Sequence, residues 1–194
     1  MKSKTLQLAY EIKGCKVCKE FLPFPPKPIF GFSSSSKIVL IGQAPGIKVH
    51  ESETPWDDAS GMRLREWLGV TNAQFYAPRN FAIVPMGFCY PGKAKSGDLP
   101  PRSECAPLWM KQILGKLEDH TLKILIGQYS QKYFLGDSIK RNLTETIKNW
   151  REYLPDFLVL PHSSPRNNIW LKKNPWFSEE LLPVVKKLVR KTLK

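Results

Sequence analysis

Four short apolar runs punctuate an otherwise polar chain. Ile38-Val-Leu-Ile41, Phe81-Ala-Ile-Val84, Leu122-Lys-Ile-Leu-Ile126 and Phe157-Leu-Val-Leu160 each end at turn-forming residues. Apolar runs this short, without steady polar alternation, predict strands buried on both faces, as in a parallel sheet. Between them the apolar period lengthens to that of helices. Residues 4–13 place Leu6, Ala9 and Ile12 on one face, and a helix from about Met62 turns Leu64, Trp67 and Leu68 inward. Asp58 or Ser60 can cap that helix and Gly69 can end it. Further helices are predicted over Asn72 to Phe75, Glu104 to Leu117 (Leu108, Ile113, Leu114 and Leu117 inward), Gln128 to Gly136, Asn142 to Trp150, and from about Ser178. His50 to Gly61 reads as polar loop. Strands alternating with helices, with no internal repeat, predict an α/β fold: a three-layer α/β/α sandwich around a mostly parallel four-stranded sheet.

A single domain suits 194 residues of which 42% are apolar. Residues 1–36 hold a helix, Cys15-Lys-Val-Cys18 and the stretch Phe21-Leu-Pro-Phe-Pro-Pro-Lys-Pro28. So many prolines exclude helix or central strand and predict an extended arm on the body. Residues 37–170 carry the α/β core, and 171–194 a basic C-terminal helix.

Charge adds a partner class. Thirty Lys and Arg against 17 Asp and Glu leave a net +13, which favours an anionic partner, most simply nucleic acid. A solvated basic surface is the rival reading, because Lys186, Lys187, Arg190, Lys191 and Lys194 crowd the last helix. No apolar run approaches the ~20 residues of a membrane span. Met1-Lys-Ser-Lys-Thr5 is not followed by a signal-peptide core. A cytoplasmic protein is therefore expected, in which two structural disulfides among four cysteines are disfavoured.

Two strand ends carry unusual polar chemistry. The first strand breaks into Gly42-Gln-Ala-Pro-Gly46, and the fourth into Pro161-His-Ser-Ser-Pro-Arg-Asn-Asn168. Parallel strands bring such turns to the same edge of a sheet, where open α/β folds bind ligands. The first turn is neither a phosphate loop nor a dinucleotide fingerprint. Its glycines let backbone approach a flat ligand, and Gln43 can offer its amide to a base edge or a water; a purely structural turn remains the alternative. His162 can donate a hydrogen bond to charge developing on a leaving group. Arg166, Asn167 and Asn168 can contact phosphates or a groove. His50 and His120 have no comparable context. Trp56 can stack on a base or fold onto the core.

The cysteines stand as a tight pair, Cys15 and Cys18, and a wide pair, Cys89 and Cys105. The wide pair fits a simple zinc ribbon poorly. Four thiolates can also hold an iron–sulfur cluster, and four unrelated thiols are the remaining possibility. A metal centre would pin the proline-rich arm to the 89–105 segment.

Together these residues resemble the uracil-DNA glycosylase superfamily. Gly42-Gln-Ala-Pro-Gly46 looks like its first motif and His162-Ser-Ser-Pro165 like its second, commonly His-Pro-Ser. The cysteine spacing and Pro55-Trp56, in place of a Pro-Phe pair, are most similar to the thermostable iron–sulfur branches. The resemblance covers about residues 10–170. It implies a monofunctional DNA glycosylase of base-excision repair, a monomer acting on DNA that contains a deaminated base, by base flipping. Gln43 and His162 would be catalytic. Gly42, Ala44, Pro45, Gly46 and Trp56 would bind the base, and Ser164, Pro165, Arg166 and Asn167 the DNA. Cys15, Cys18, Cys89 and Cys105 would hold a 4Fe-4S cluster, with zinc as the alternative. The departures bear on activity. Gln43 stands where the iron–sulfur branch has glutamate, Ala44 where the main branch has aspartate, Pro85 where a uracil-reading asparagine is usual, and Ser163 where proline is usual. A glutamine orients water without deprotonating it. Asp57, Asp58, Glu51 and Glu53 are the candidate carboxylates. The alternative implied is a catalytically weak or inactive nucleic-acid-binding member of the fold, or a nucleotide- or base-binding domain.

Overall fold

Each of the four apolar runs forms a strand: Ile38–Ile41 (β1), Phe81–Ile83 (β2), Leu122–Ile126 (β3) and Phe157–Leu160 (β4). The computed structural model describes residues 4–118 and 121–194; Met1 to Ser3, Asp119 and His120 lie outside the described residues. The strands form one sheet in the order β2-β1-β3-β4, every pair parallel. Leu40 sits level with Ile83 on one side and Ile124 on the other, and Leu125 with Val159. All four residues of β1 are buried. That is the physical reason for the unbroken apolar run: a central parallel strand has helices on both faces and no wet side.

The helices are Lys4–Lys13 (α1), Ile47–Ser52 (α2), Ala59–Leu68 (α3), Asn72–Phe75 (α4), Cys105–Leu114 (α5), Gln128–Leu135 (α6), Leu143–Lys148 (α7), Asn168–Lys173 (α8) and Leu182–Thr192 (α9). A π-helical turn, Phe177–Leu181, leads into α9. α3 starts at Ala59, earlier than its apolar stripe, because the Asp58 side chain accepts from the Gly61 N–H and caps it. Gly69 ends it at φ 68°. Leu64, Trp67 and Leu68 are buried as expected.

Two facial assignments change. In α1 the buried residues are Leu8 and Ile12, and Leu6 is exposed. In α5 the stripe Ala106, Met110, Ile113 faces the core and leaves Leu108 exposed, two positions off the stripe. α2 and α8 lie in stretches that read as loop. α2 is a six-residue helix with one buried side chain, Val49, too little for a periodic signal. α8 is anchored by Trp170, which donates to Thr144 Oγ1 at 2.8 Å and packs edge-on against Phe177.

The proline-rich arm lies along the edge of the sheet. The Ile29 N–H donates to Phe88 O, and Gly31 and Ile83 exchange backbone hydrogen bonds across an antiparallel bridge. The arm thus covers the open edge of β2. The cations of α9 lie elsewhere than the turns of interest. Lys186, Lys187 and Arg190, with Lys194 just beyond the helix, line a cleft at the Gly69 end of α3, whereas Asp58, at the other end, faces the cavity described next. Among the described residues no helix is long and apolar enough to cross a membrane.

Candidate functional site

The turn after β1 is held open by its neighbours. Beyond the last strand residues, the Met86 and Gly87 N–H groups donate to the carbonyls of Gly42 and Gln43. Gly42 has no room for a side chain, because a Cβ there would meet Trp56 Cζ2 at 2.8 Å. The glycine therefore admits an indole of the protein itself, where the sequence suggested close approach of a ligand. Trp56 adopts the left-handed φ of 58°, a conformation that tryptophan holds only when its surroundings impose it. Three contacts do so. Arg65 Nη1 donates to Trp56 O at 3.2 Å, Tyr76 Oη donates to Pro55 O at 3.0 Å, and Gly61 leaves space for the Trp56 carbonyl. Arg65 in turn lies against the rings of Phe75 and Tyr76.

The loop after β4 is pinned to the start of α3. Ser163 is buried and donates through Oγ to Ser60 O at 2.8 Å. Arg63 donates to Ser164 O at 3.1 Å and to Asn168 Oδ1 at 2.8 Å. Asn167 Nδ2 donates to His162 O at 2.6 Å. The serine that replaces the motif's usual proline is therefore a tether. His162 Nδ1 accepts from the Ser164 N–H at 3.1 Å, so the neutral ring carries its proton on Nε2. Burial pulls its proton affinity below the ordinary histidine value, opposed by attraction to the Asp58 carboxylate. Its ring lies 5.6 Å from that of Trp56.

Gln43 and His162 meet across Gly127, at the end of β3. Gly127 has φ 86°, and a Cβ on it would lie 3.1 Å from Gln43 Nε2 and 3.4 Å from His162 Cβ. Three adjacent parallel strands thus deliver one turn each to a single edge, and the middle one has no side chain between the other two. No hydrogen bond within the described residues engages the Gln43 amide.

These groups surround a cavity of about 540 Å³. Gly42, Gln43, Ala44, Pro45, Gly46, Trp56, His162, Ser164, Arg166 and Asn167 all line it; Pro165 does not. Of the candidate carboxylates, only Asp58 lines the cavity. Glu51 and Asp57 are exposed, and Glu53 pairs with Lys27 at 3.1 Å. Pro85 also lines it and offers no N–H. His50 stacks on Phe24 outside it. Among the lining residues that the sequence did not single out are Gly127, Tyr129 and Asp98. A glycine between a strand and a helix was the one available signal for Gly127; Asp98 sits in a basic polar stretch that offers none.

All four cysteines line a second, separate cavity with Arg102 and Trp109. Burial raises the Cys89 thiol to about 11 and Cys105 to about 12, the latter despite a hydrogen bond from the Phe88 N–H. Cys18 is also raised, first by burial and then by Glu104, with Arg102 opposing. Among the described residues, no three His, Cys, Asp or Glu side chains are grouped to grip a metal ion. Two buried donors beside the thiols, Arg102 Nε and Trp109 Nε1, have no hydrogen-bond partner among the described residues.

A family model described as the uracil DNA glycosylase superfamily matches residues 30–186. The match contains both strand-end turns, Cys89 and Cys105, and begins after Cys15 and Cys18.

Proposed function

The chain belongs to the uracil DNA glycosylase superfamily, and from that membership and the cavity we propose that it is a monofunctional DNA glycosylase. It acts as a cytoplasmic monomer in base-excision repair, hydrolysing the N-glycosidic bond of uracil or another deaminated base. The carrying observation is the meeting of Gln43 and His162 across Gly127 on one cavity. The nucleotide flips out of the duplex into that cavity. As the bond from C1′ to the base nitrogen lengthens, the sugar gains positive character and the electron pair leaves with the base. His162, neutral and protonated on Nε2, donates to the base oxygen that collects this charge. The Gln43 amide orients the attacking water. Trp56, wedged between Gly42 and His162, supplies an aromatic wall. Ser164, Pro165, Arg166 and Asn167 contact the DNA beside the mouth.

The test is a gel assay of abasic-site formation on uracil- and hypoxanthine-containing oligonucleotides. Excision of at least one base is expected. A second reading, a binding protein without catalysis, is favoured by the amide at Gln43, which takes no proton. Tight binding to both oligonucleotides without excision would establish it and sink the glycosylase.

The four cysteines are assigned to a 4Fe-4S cluster. Two orphaned N–H donors beside four thiols fit a centre whose sulfurs accept hydrogen bonds. The cluster would tie the arm to α5 and serve structure, with no step of the chemistry passing through it. The purified protein is expected to be brown with broad absorbance near roughly 400 nm. A colourless protein with stoichiometric zinc, or with four free thiols, would refute the assignment.

A further inference from the structure

Hydrolysis requires something to accept a proton from the attacking water, and the Gln43 amide does not. Among the described residues lining the cavity there are two carboxylates, Asp58 and Asp98. They stand in different surroundings. Asp58 spends Oδ1 on the Gly61 N–H at 2.8 Å, capping α3. The Asp98 carboxylate has no hydrogen-bond partner among the described residues. It closes a tight hairpin, bridged to Lys93, in which Ala94 N–H donates to Gly97 O and Leu99 N–H to Gly92 O, each at 2.8 Å. This hairpin holds it against the first turn: Asp98 Oδ2 is 3.4 Å from where a Gly46 side chain would begin. The turn that presents Gln43 therefore also seats Asp98.

Resting on the glycosylase reading above, we infer that Asp98 is the general base of the reaction. Water held by the Gln43 amide forms its bond to C1′ as the bond to the base nitrogen breaks. One water proton passes to an Asp98 carboxylate oxygen, and the departing electron pair settles on the base, where His162 donates to its oxygen. Asp98 later returns the proton to solvent or to the base. The surroundings suit this work. Partial burial raises the proton affinity of Asp98, Asp58 raises it further, and Arg166 and Lys93 oppose. Arg166 is close by: its Nη1 occupies the space a Gly97 side chain would need. The two cations favour the carboxylate form, and desolvation makes it a stronger base than a free aspartate. In the free protein one side of Asp98 stays exposed to solvent, open to a water that bound DNA would trap.

The experiment compares single-turnover excision by the wild-type protein, Asp98→Asn and Asp58→Asn, each with its affinity for the same oligonucleotide. Asp98→Asn should lower the rate by about 100-fold or more with affinity within threefold. It should also abolish the fall in rate on the acid side of the wild-type pH profile. Asp58→Asn, which keeps a capping side chain, should retain that acid limb. An Asp98→Asn rate within threefold of wild type, or an acid limb that survives the substitution, overturns the assignment while leaving the glycosylase standing. Absence of excision by the wild-type protein overturns both.

Discussion

Replacing Gly61 with alanine should destabilise the protein by about 3 kcal/mol and dislodge Trp56 from the cavity wall. The built Cβ falls 1.7 Å from Trp56 O, 2.6 Å from its carbonyl carbon and 2.9 Å from its Cβ. The first two contacts are with backbone, so no rotamer change relieves them. Relief requires moving Trp56, already left-handed at φ 58°, and breaking the hydrogen bond from Arg65. Overpacking costs roughly 1–3 kcal/mol, and losing the Trp56 acceptor while Arg65 Nη1 keeps its bond to Tyr76 Oη adds roughly 1 kcal/mol more. Against a total stability of roughly 5–15 kcal/mol this is a large share. Urea unfolding followed by tryptophan fluorescence should show a lower midpoint at unchanged slope. A midpoint equal to wild type would show that the Trp56 turn gives way freely.

His162→Ala carries the largest expected loss of activity, about 100- to 1000-fold in excision rate, the range found when one donor to a developing oxyanion is removed. The donor is a neutral imidazole, because Nδ1 is occupied as an acceptor and burial disfavours the charged ring. The contribution of His162 should therefore survive as pH rises from 6 to 8, and a rate that collapses over that interval would indicate a required imidazolium. Stability follows the same sign. The folded-state proton affinity is depressed relative to the unfolded chain, so unfolded histidine binds the proton first. The stability that this site contributes is complete above about pH 6.5. It erodes as pH falls from there toward the lower folded value, and His162→Ala should flatten that part of the stability profile.

The strands were legible in the sequence because burial on both faces leaves nothing but apolar residues in β1, in β4 and in the last three residues of β3, Ile124 to Ile126. The convergence of Gln43 and His162 was legible for a related reason: parallel strands must end at the same edge. What bridges them was not. Gly127 matters only because two side chains from other strands crowd it, and Asp98 only because a hairpin folds back onto Gly46. Neither approach leaves a local pattern. Trp56 shows the same limit from the other side. Its place beside the cavity was anticipated, yet its fit against Gly42 depends on tertiary contact. Short helices such as α2 and α8 carry too few buried positions for a period to emerge. The basic C-terminal helix was conspicuous in composition, yet three of its cations and Lys194 beyond it line a cleft at the far end of α3 and none lines the cavity.

The central claim is that the cavity between the Gly42 turn and the His162 loop breaks a glycosidic bond. Its most direct measurement is the single-turnover rate of base release by the wild-type protein and His162→Ala, with binding of the same oligonucleotide measured in parallel. The account predicts a rate lower by two to three orders of magnitude at an affinity changed by less than about threefold, because the hydrogen bond from His162 strengthens only as charge develops on the base. Equal rates for the two proteins, or a loss of rate matched by an equal loss of affinity, would contradict it.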